Sequence, residues 1–189
     1  MYFCKLKILK PCHQKKLQEK RRKRQRNQER NSSLSRDAKS LSMTRSTWIS
    51  MARFFLDTHV AYWLVSESPK LDENLRDDIL YPSGNQYLIS DFVILELTHL
   101  NQLGKLKIPG GSKALFGAFE SMNIEMDSIS NNTFETLENI PILTIEGSKH
   151  TDMMDRAIIA HCIANKETLI SHDSKFPYYR SYGLRLLET

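Results

Sequence analysis

From residue 51 onward, short apolar runs alternate with amphipathic segments along the chain, and this alternation predicts strands and helices in turn. Runs such as RFFL and QYLIS are short and bounded by polar residues, which is typical of strands buried on both faces. The segments between them repeat apolar residues every three or four positions, as helices that cover a sheet do. The predicted strands are 53–56, 86–90, 124–129, 168–172 and 184–187, and the predicted helices are 58–67, 71–81, 91–103, 113–122, 132–140 and 152–165.

This order of elements predicts an α/β domain over residues 51–189, with a mostly parallel central sheet between two layers of helices, a three-layer α/β/α arrangement. Parallel neighbours need right-handed crossovers, which place helices on both faces of the sheet. In such sheets, ligands bind at the carboxyl ends of the strands. Two predicted strands run into aspartates, Asp57 and Asp173, so we expect these two side chains at the same edge.

Residues 1–50 differ sharply in charge from the rest of the chain. They hold 15 Lys and Arg against 3 Asp and Glu, whereas residues 51–189 hold 12 against 19. With so few apolar residues, this basic extension is predicted to be disordered. Three interpretations stay open: a segment that binds nucleic acid by neutralising phosphates, a targeting segment, or an upstream stretch that does not belong to the working protein, with Met43 or Met51 as an alternative start.

Several classes of protein are excluded by composition. No run of about 18 apolar residues is present, so no membrane-spanning helix and no membrane partner are expected. Three cysteines cannot make a disulfide framework, which favours a reducing, cytoplasmic location. The glycines form neither a phosphate-binding loop nor a nucleophile elbow.

Four acidic residues stand in settings that are unusual for solvated carboxylates. Asp57 and Asp173 follow predicted strands, and Asp155 lies in the first turn of the predicted helix 152–165. Glu96 lies among the apolar residues of FVILELTHL, where an unpartnered charge costs several kcal/mol, roughly. Each residue alone also has a structural interpretation, such as a helix cap or a charge that favours the helix dipole.

Taken together, the four carboxylates point to a metal-dependent hydrolase. Carboxylates gathered at one edge repel each other unless a divalent cation lies between them. A ligand set of oxygens alone suits Mg²⁺ or Mn²⁺. Such a site activates water and neutralises charge on a phosphodiester. We expect Asp57 and Asp155 to be the direct metal ligands, and Glu96 and Asp173 to complete the cluster directly or through water.

Sequence blocks around these residues carry a family resemblance. FLDTHVAYWL, ISDFVILEL, HTDMMDRAIIAHCIA and LISHDSKF occur in the order and at the separations of the four blocks of the PIN-domain ribonucleases. Over residues 52–189 the chain most resembles the VapC-type toxins of bacterial type II toxin–antitoxin pairs. The resemblance implies Mg²⁺-dependent cleavage of single-stranded RNA by a homodimer. It also implies inhibition by a cognate antitoxin that inserts into the acidic groove.

Matched position by position, the resemblance assigns roles to particular residues. The catalytic and metal-binding carboxylates are Asp57, Glu96, Asp155 and Asp173. Residues that would position water or a phosphate oxygen are Thr58, Ser171 and Arg156. Apart from this match, the basic residues Arg156, Lys175 and Arg180 are candidate contacts to the RNA backbone, although a solvated or ion-paired role is the commoner one for each alone.

The chain departs from the family pattern in HTDMMDR, where the family usually has a proline and an aromatic residue between the two aspartates. This leaves Asp152 open between a helix-start charge and an indirect contact to the metal. Among the histidines, which follow no metal-ligand spacing, His59 and His172 are notable because each lies next to a key aspartate. Two other functions stay open: a non-catalytic PIN-like scaffold that binds RNA or protein, and nucleic-acid binding by the basic extension.

Overall fold

A computed structural model of the chain describes residues 52–82 and 84–189, together with Arg26. The predicted disorder of residues 1–50 therefore falls outside the described residues, apart from that arginine, and stays a prediction. Within the described residues, no helix is both long and apolar enough to cross a membrane.

The described residues form alternating strands and helices. The strands are β1 (Arg53–Leu56), β2 (Gln86–Ser90), β3 (Glu125–Asp127), β4 (Thr144–Ile145), β5 (Ser148–Lys149), β6 (Thr168–Ser171) and β7 (Arg185–Glu188). The α-helices are α1 (Thr58–Val65), α2 (Glu73–Leu80), α3 (Asp91–Gln102), α4 (Gly111–Ser121), α5 (Asn131–Asn139) and α6 (Met153–Asn165), and a 3₁₀ helix spans Phe176–Tyr182. Every element predicted from the pattern is present, with its ends within two residues of the expected positions.

Five strands form one parallel sheet in the order β3-β2-β1-β6-β7. The chain passes outward from β1 to β2 and β3, then returns across the sheet to β6. Right-handed crossovers therefore put helices on opposite faces, and the predicted three-layer α/β/α fold is confirmed. The direction of the strand order changes between β1 and β6, so the carboxyl ends of these two strands form the switch point at which such sheets bind ligands.

The sheet is buried because its central strands are apolar on both faces. Phe55 and Leu56 of β1 are almost fully buried, as are Leu169 and Ile170 beside them on β6. Helix α6 packs against β6 and α5. A close-packed core of this kind fixes the backbone at the ends of the strands, and therefore fixes the positions of the polar residues that follow β1 and β6.

Two small elements were not predicted from the sequence. Strands β4 and β5 form an antiparallel hairpin, with Thr144 opposite Lys149, in the connection before α6. The 3₁₀ helix follows β6 and brings Tyr179 into the interior, where it is fully buried. Both elements lie next to residues that the sequence assigns to the site.

Candidate functional site

The carboxyl ends of β1 and β6 lie side by side and carry the first two polar residues of the site. Leu56 pairs with Ile170 in the register of the two strands, and the amide of Asp57 donates to the carbonyl of Ile170 at 3.0 Å. Asp57 therefore emerges beside Ser171 at the switch point. Both side chains are buried, with 2% and 1% of their surfaces exposed.

Asp57 is held from both sides by hydrogen-bond donors. Its Oδ1 accepts from the amide of Thr58 at 2.7 Å, so it also acts as the N-cap of α1. Its Oδ2 accepts from the hydroxyl of Ser171 at 2.9 Å. The same hydroxyl accepts from the amide of Asp173 at 3.0 Å. Ser171 therefore links two of the predicted carboxylate residues, and the cap interpretation of Asp57 and its place in the site are compatible.

Glu96 reaches the site from the second turn of α3. The hydroxyl of Thr58 donates to Glu96 Oε2 at 2.6 Å, which joins α3 to the first residue of α1. Burial raises the pKa of the Glu96 carboxyl; the bond from Thr58 opposes this, and the charges of Asp155 and Asp57 raise the pKa further. Glu96 is only half-buried and its neighbour Leu95 is 53% exposed, so α3 turns part of this apolar-looking segment to solvent.

Asp155 lies in the first turn of α6. That helix leads back to the start of β6, so its own N-terminus faces the carboxyl edge of the sheet. His150 Nε2 lies 3.0 Å from Asp155 Oδ2, and His150 Nδ1 lies 2.9 Å from the hydroxyl of Tyr179. In a neutral imidazole that donates from Nε2 to the carboxylate of Asp155, Nδ1 accepts from the hydroxyl of Tyr179. The buried pair of His150 and Tyr179 fixes Asp155, and analysis of the sequence missed it.

Asp155 lies within electrostatic reach of each of the other three predicted carboxylates. Burial raises the pKa of Asp155; the bond from His150 opposes this, and the charges of Asp152, Asp173 and Asp57 add to the rise. Like-charge contributions of this kind, also found at Glu96, are the repulsion expected of gathered carboxylates. The structure thus brings together side chains that are up to 116 positions apart in the chain.

A divalent cation fits this donor set chemically. Within the described part of the chain, no three His, Cys, Asp or Glu side chains form a ready group of ligands at metal distance. The cluster nevertheless consists of carboxylate oxygens, and the pKa values of Glu96 and Asp155 are raised chiefly by burial and further by the charges of the neighbouring carboxylates. A hard dication relieves that repulsion, and oxygen donors are the ligands that Mg²⁺ and Mn²⁺ prefer.

Arg156 does not take the position expected of a residue that contacts substrate. It is 9% exposed, and its guanidinium donates to the carbonyl oxygens of Leu137 and Ile140 at 3.4 and 3.1 Å. These carbonyls belong to the last turn and the cap of α5. The prediction that Arg156 positions substrate is corrected: its guanidinium binds the carbonyls at the C-terminal end of α5 and so joins α5 to α6. A positive charge at that end of a helix also favours the helix dipole.

The other ambiguous polar residues also have defined places. Asp152 is the N-cap of α6, since its Oδ1 accepts from the amides of Met154 and Asp155 at 3.0 and 3.3 Å. Arg180 pairs with Glu188 at 2.7 Å, which occupies its guanidinium on the protein's own surface. Asp152 is therefore a helix-start charge, as one of its two interpretations had it.

Two histidines next to predicted carboxylates both lie near the indole ring of Trp63. His59 Nδ1 is 3.7 Å from Asp57 Oδ2. The interaction with Asp57 is the largest cause that raises the pKa of His59; burial opposes it, and the charges of Glu96 and Asp173 add to the rise. His172 meets the edge of Trp63 with ring centroids 5.3 Å apart, and His59 lies 6.1 Å from the same ring.

A family model describes this architecture. The model of the PIN domain matches residues 54–181, which span all four carboxylates. The chain belongs to the PIN-domain family. The resemblance seen in the four sequence blocks is thereby confirmed. A search of curated proteins finds no significant match.

Solved structures share the PIN fold of this chain at low sequence identity. VapBC2 from Rickettsia felis, bound to a DNA fragment from its promoter, has a TM-score of 0.56 at 20% identity, over 72% of this chain and 98% of that one. DNA-bound VapBC from Salmonella typhimurium has a TM-score of 0.53 at 16% sequence identity, over 73% of this chain and 98% of that one. VapBC-1 from nontypeable Haemophilus influenzae has a TM-score of 0.50 at 18% sequence identity, over 72% of this chain and 97% of that one. At these identities the likeness shows the fold.

Proposed function

We propose that this PIN-domain protein is an endoribonuclease that hydrolyses phosphodiester bonds in single-stranded RNA with Mg²⁺ or Mn²⁺. The observation that carries the proposal is the convergence of four carboxylates from four separate segments at the switch point of the sheet. Such a convergence is costly without a cation, because the native state must hold like charges together. Membership of the PIN-domain family supports the same conclusion.

Each residue of the site has a part in this proposal. Asp57 and Asp155 hold the ion, and Glu96 and Asp173 complete the cluster directly or through water. A divalent ion bound there would lower the pKa of a bound water and neutralise charge on the phosphodiester. One of the carboxylates also accepts the proton of the attacking water. The donors already described keep these side chains in place, chiefly the hydroxyls of Ser171 and Thr58.

We further propose that the enzyme is a homodimeric toxin held inactive by a cognate antitoxin protein in the cytoplasm. The resemblance of the four sequence blocks to VapC-type toxins supports a partner of this kind, and so does the fold shared with the VapBC structures. Helices α3 and α4 pack together and leave large apolar side chains in solvent: Leu95 (53% exposed), Leu103 (54%) and Phe116 (43%). Apolar side chains on adjacent helices are suited to a protein interface.

RNA cleavage by the full chain tests the proposed function. A mixed pool of single-stranded RNA is incubated with Mg²⁺, with Mn²⁺ or with EDTA. Asp57→Asn is compared with Glu125→Gln, a matched loss of one negative charge at an exposed residue of β3. We expect cleavage only with metal, a loss of about 100-fold or more in Asp57→Asn, and no change in Glu125→Gln.

Two results would contradict this function. Cleavage that persists in EDTA or in Asp57→Asn would remove the metal-holding role of the carboxylates. RNA binding without cleavage in either metal would favour the alternative, a non-catalytic PIN-like scaffold.

A further inference from the structure

A cavity of about 320 Å³ adjoins the carboxylate cluster, between the β4–β5 hairpin, the start of α6 and the segment after β6. This volume lies in the lower range of pockets that hold small molecules. Its polar lining comes from Ser148, Lys149, His150, Thr151, Asp152 and Lys175. The cavity depends on the hairpin, which has no counterpart among the elements predicted from the sequence.

The charges in this lining suit an anion. Lys149 and Lys175 come from separate segments and are both exposed, and in the described part of the chain neither ammonium has a carboxylate within ion-pair distance. Asp152 has the opposite sign, but its Oδ1 already accepts from two amides of α6. Two ammonium groups with neighbouring hydroxyls, those of Ser148 and Thr151, form a donor set that matches phosphate oxygens.

The cavity is connected directly to two of the four carboxylates. His150 is one of its lining residues, and His150 Nε2 lies 3.0 Å from Asp155 Oδ2. Lys175 lines it as well, and its amide donates to Asp173 Oδ1 at 2.7 Å. The cavity therefore adjoins the place that the proposed function gives to the phosphate under attack.

We propose that this cavity is a subsite for a phosphate group of the polynucleotide that flanks the bond to be cleaved, with Lys149 and Lys175 as its cationic ligands. The choice of a polynucleotide rests on the proposed function. The phosphate itself could come from an internal phosphodiester or from a terminal 5′-phosphate, because the same donors serve both. The subsite would determine the direction in which the single-stranded RNA passes over the carboxylates.

Binding of a single-stranded oligouridylate tests the subsite. The full chain carries Asp57→Asn so that the RNA stays intact, and the dissociation constant is measured over 50 to 200 mM salt, roughly the range in which phosphate contacts are visible. Lys149→Gln, Lys175→Gln and the double variant are compared with Lys113→Gln, an exposed lysine of α4 that does not line the cavity.

We expect each cavity lysine to change the salt dependence of binding. Loss of one phosphate contact reduces the slope of log K against log salt by about 0.7 for a single strand, and the double variant should lose about twice that. Affinity should fall severalfold for each single variant, and Lys113→Gln should match the parent. A double variant with the affinity and slope of the parent overturns the subsite.

Further arms separate the phosphate sources and the two proposals. If the lysine effect needs a 5′-phosphate on the oligonucleotide, the subsite takes a terminal phosphate; if it also occurs with a 5′-hydroxyl, it takes an internal one. If the wild-type chain cleaves no RNA but the cavity variants still weaken binding, the proposed function fails, while phosphate binding by the two lysines stands without a bond to be cleaved. If the wild type cleaves RNA and the variants bind like the parent, the subsite fails and the function stands.

Discussion

Replacement of Ser171 by alanine tests how the site is held together. The substitution removes the donor to Asp57 Oδ2 at 2.9 Å and the acceptor of the Asp173 amide at 3.0 Å. Ser171 and Asp57 are both almost fully buried, so water cannot easily replace the lost hydroxyl. A hydrogen bond to a charged group contributes about 1.5–3 kcal/mol, and we expect a loss of free energy of unfolding of that size.

Urea denaturation of the metal-free protein measures this loss. For a chain of this length, a loss of about 1.5–3 kcal/mol also corresponds to a fall in Tm of about 3–12 °C in thermal unfolding. Ser181→Ala, at an exposed serine of the 3₁₀ helix, is the control and should stay within about 0.5 kcal/mol of the wild type. Metal-dependent cleavage should also fall, by about 10–100-fold, because Asp57 loses a group that orients it. A variant as stable and as active as the wild type would refute this account of Ser171.

Three further predictions concern pH, the His150 contact and the basic extension. Folding raises the pKa of Glu96 and of Asp155 above 4.5 and 3.8, so the native state keeps protons longer. The free energy of unfolding of the metal-free protein should therefore fall as the pH rises from the ordinary pKa values of these carboxyls through their raised values in the folded state. Asp155→Asn should flatten this fall, which urea titrations at several pH values measure. Tyr179→Phe, which removes the hydroxyl beside His150, should cost about 0.5–1.5 kcal/mol and lower kcat more than it raises KM; an unchanged kcat would contradict the role given to this pair. Removal of residues 1–50 should leave metal-dependent cleavage intact, and loss of all RNA binding would instead assign the function to that extension.

The fold was largely predictable because its strands are buried on both faces and therefore continuous in apolar residues. RFFL and QYLIS occupy the expected positions as β1 and β2. Parallel topology then put the carboxyl ends of β1 and β6 at one edge, so Asp57 and Asp173 could be placed near each other before any coordinates. Asp155 could be placed as well, because the helix that leads into β6 begins at that edge.

Other features left no readable pattern in the sequence. The β4–β5 hairpin has only two residues in each strand, too few to show an alternation of apolar and polar positions. The 3₁₀ helix likewise lacks the periodicity of an α-helix. His150 follows no ligand spacing, because its role is to contact Asp155 and the distant Tyr179 rather than a metal.

Arg156 was misassigned because charge alone does not tell where a side chain points. Its position next to Asp155 suggested a substrate contact, but successive residues on a helix face in directions about 100° apart. Asp155 therefore faces the site, while Arg156 turns to the end of α5. A guanidinium that satisfies backbone carbonyls in the interior leaves no pattern that distinguishes it from one that binds phosphate.

Anomalous scattering from crystals of the full chain grown or soaked with Mn²⁺ is the most direct test of the central claim. We expect a manganese peak between the carboxylates of Asp57 and Asp155, with Glu96 and Asp173 contacting the ion or its waters. The peak should vanish in Asp155→Asn. A peak only at another place on the protein, or no peak at saturating Mn²⁺, would contradict the claim that this fold gathers four carboxylates in order to hold a divalent ion.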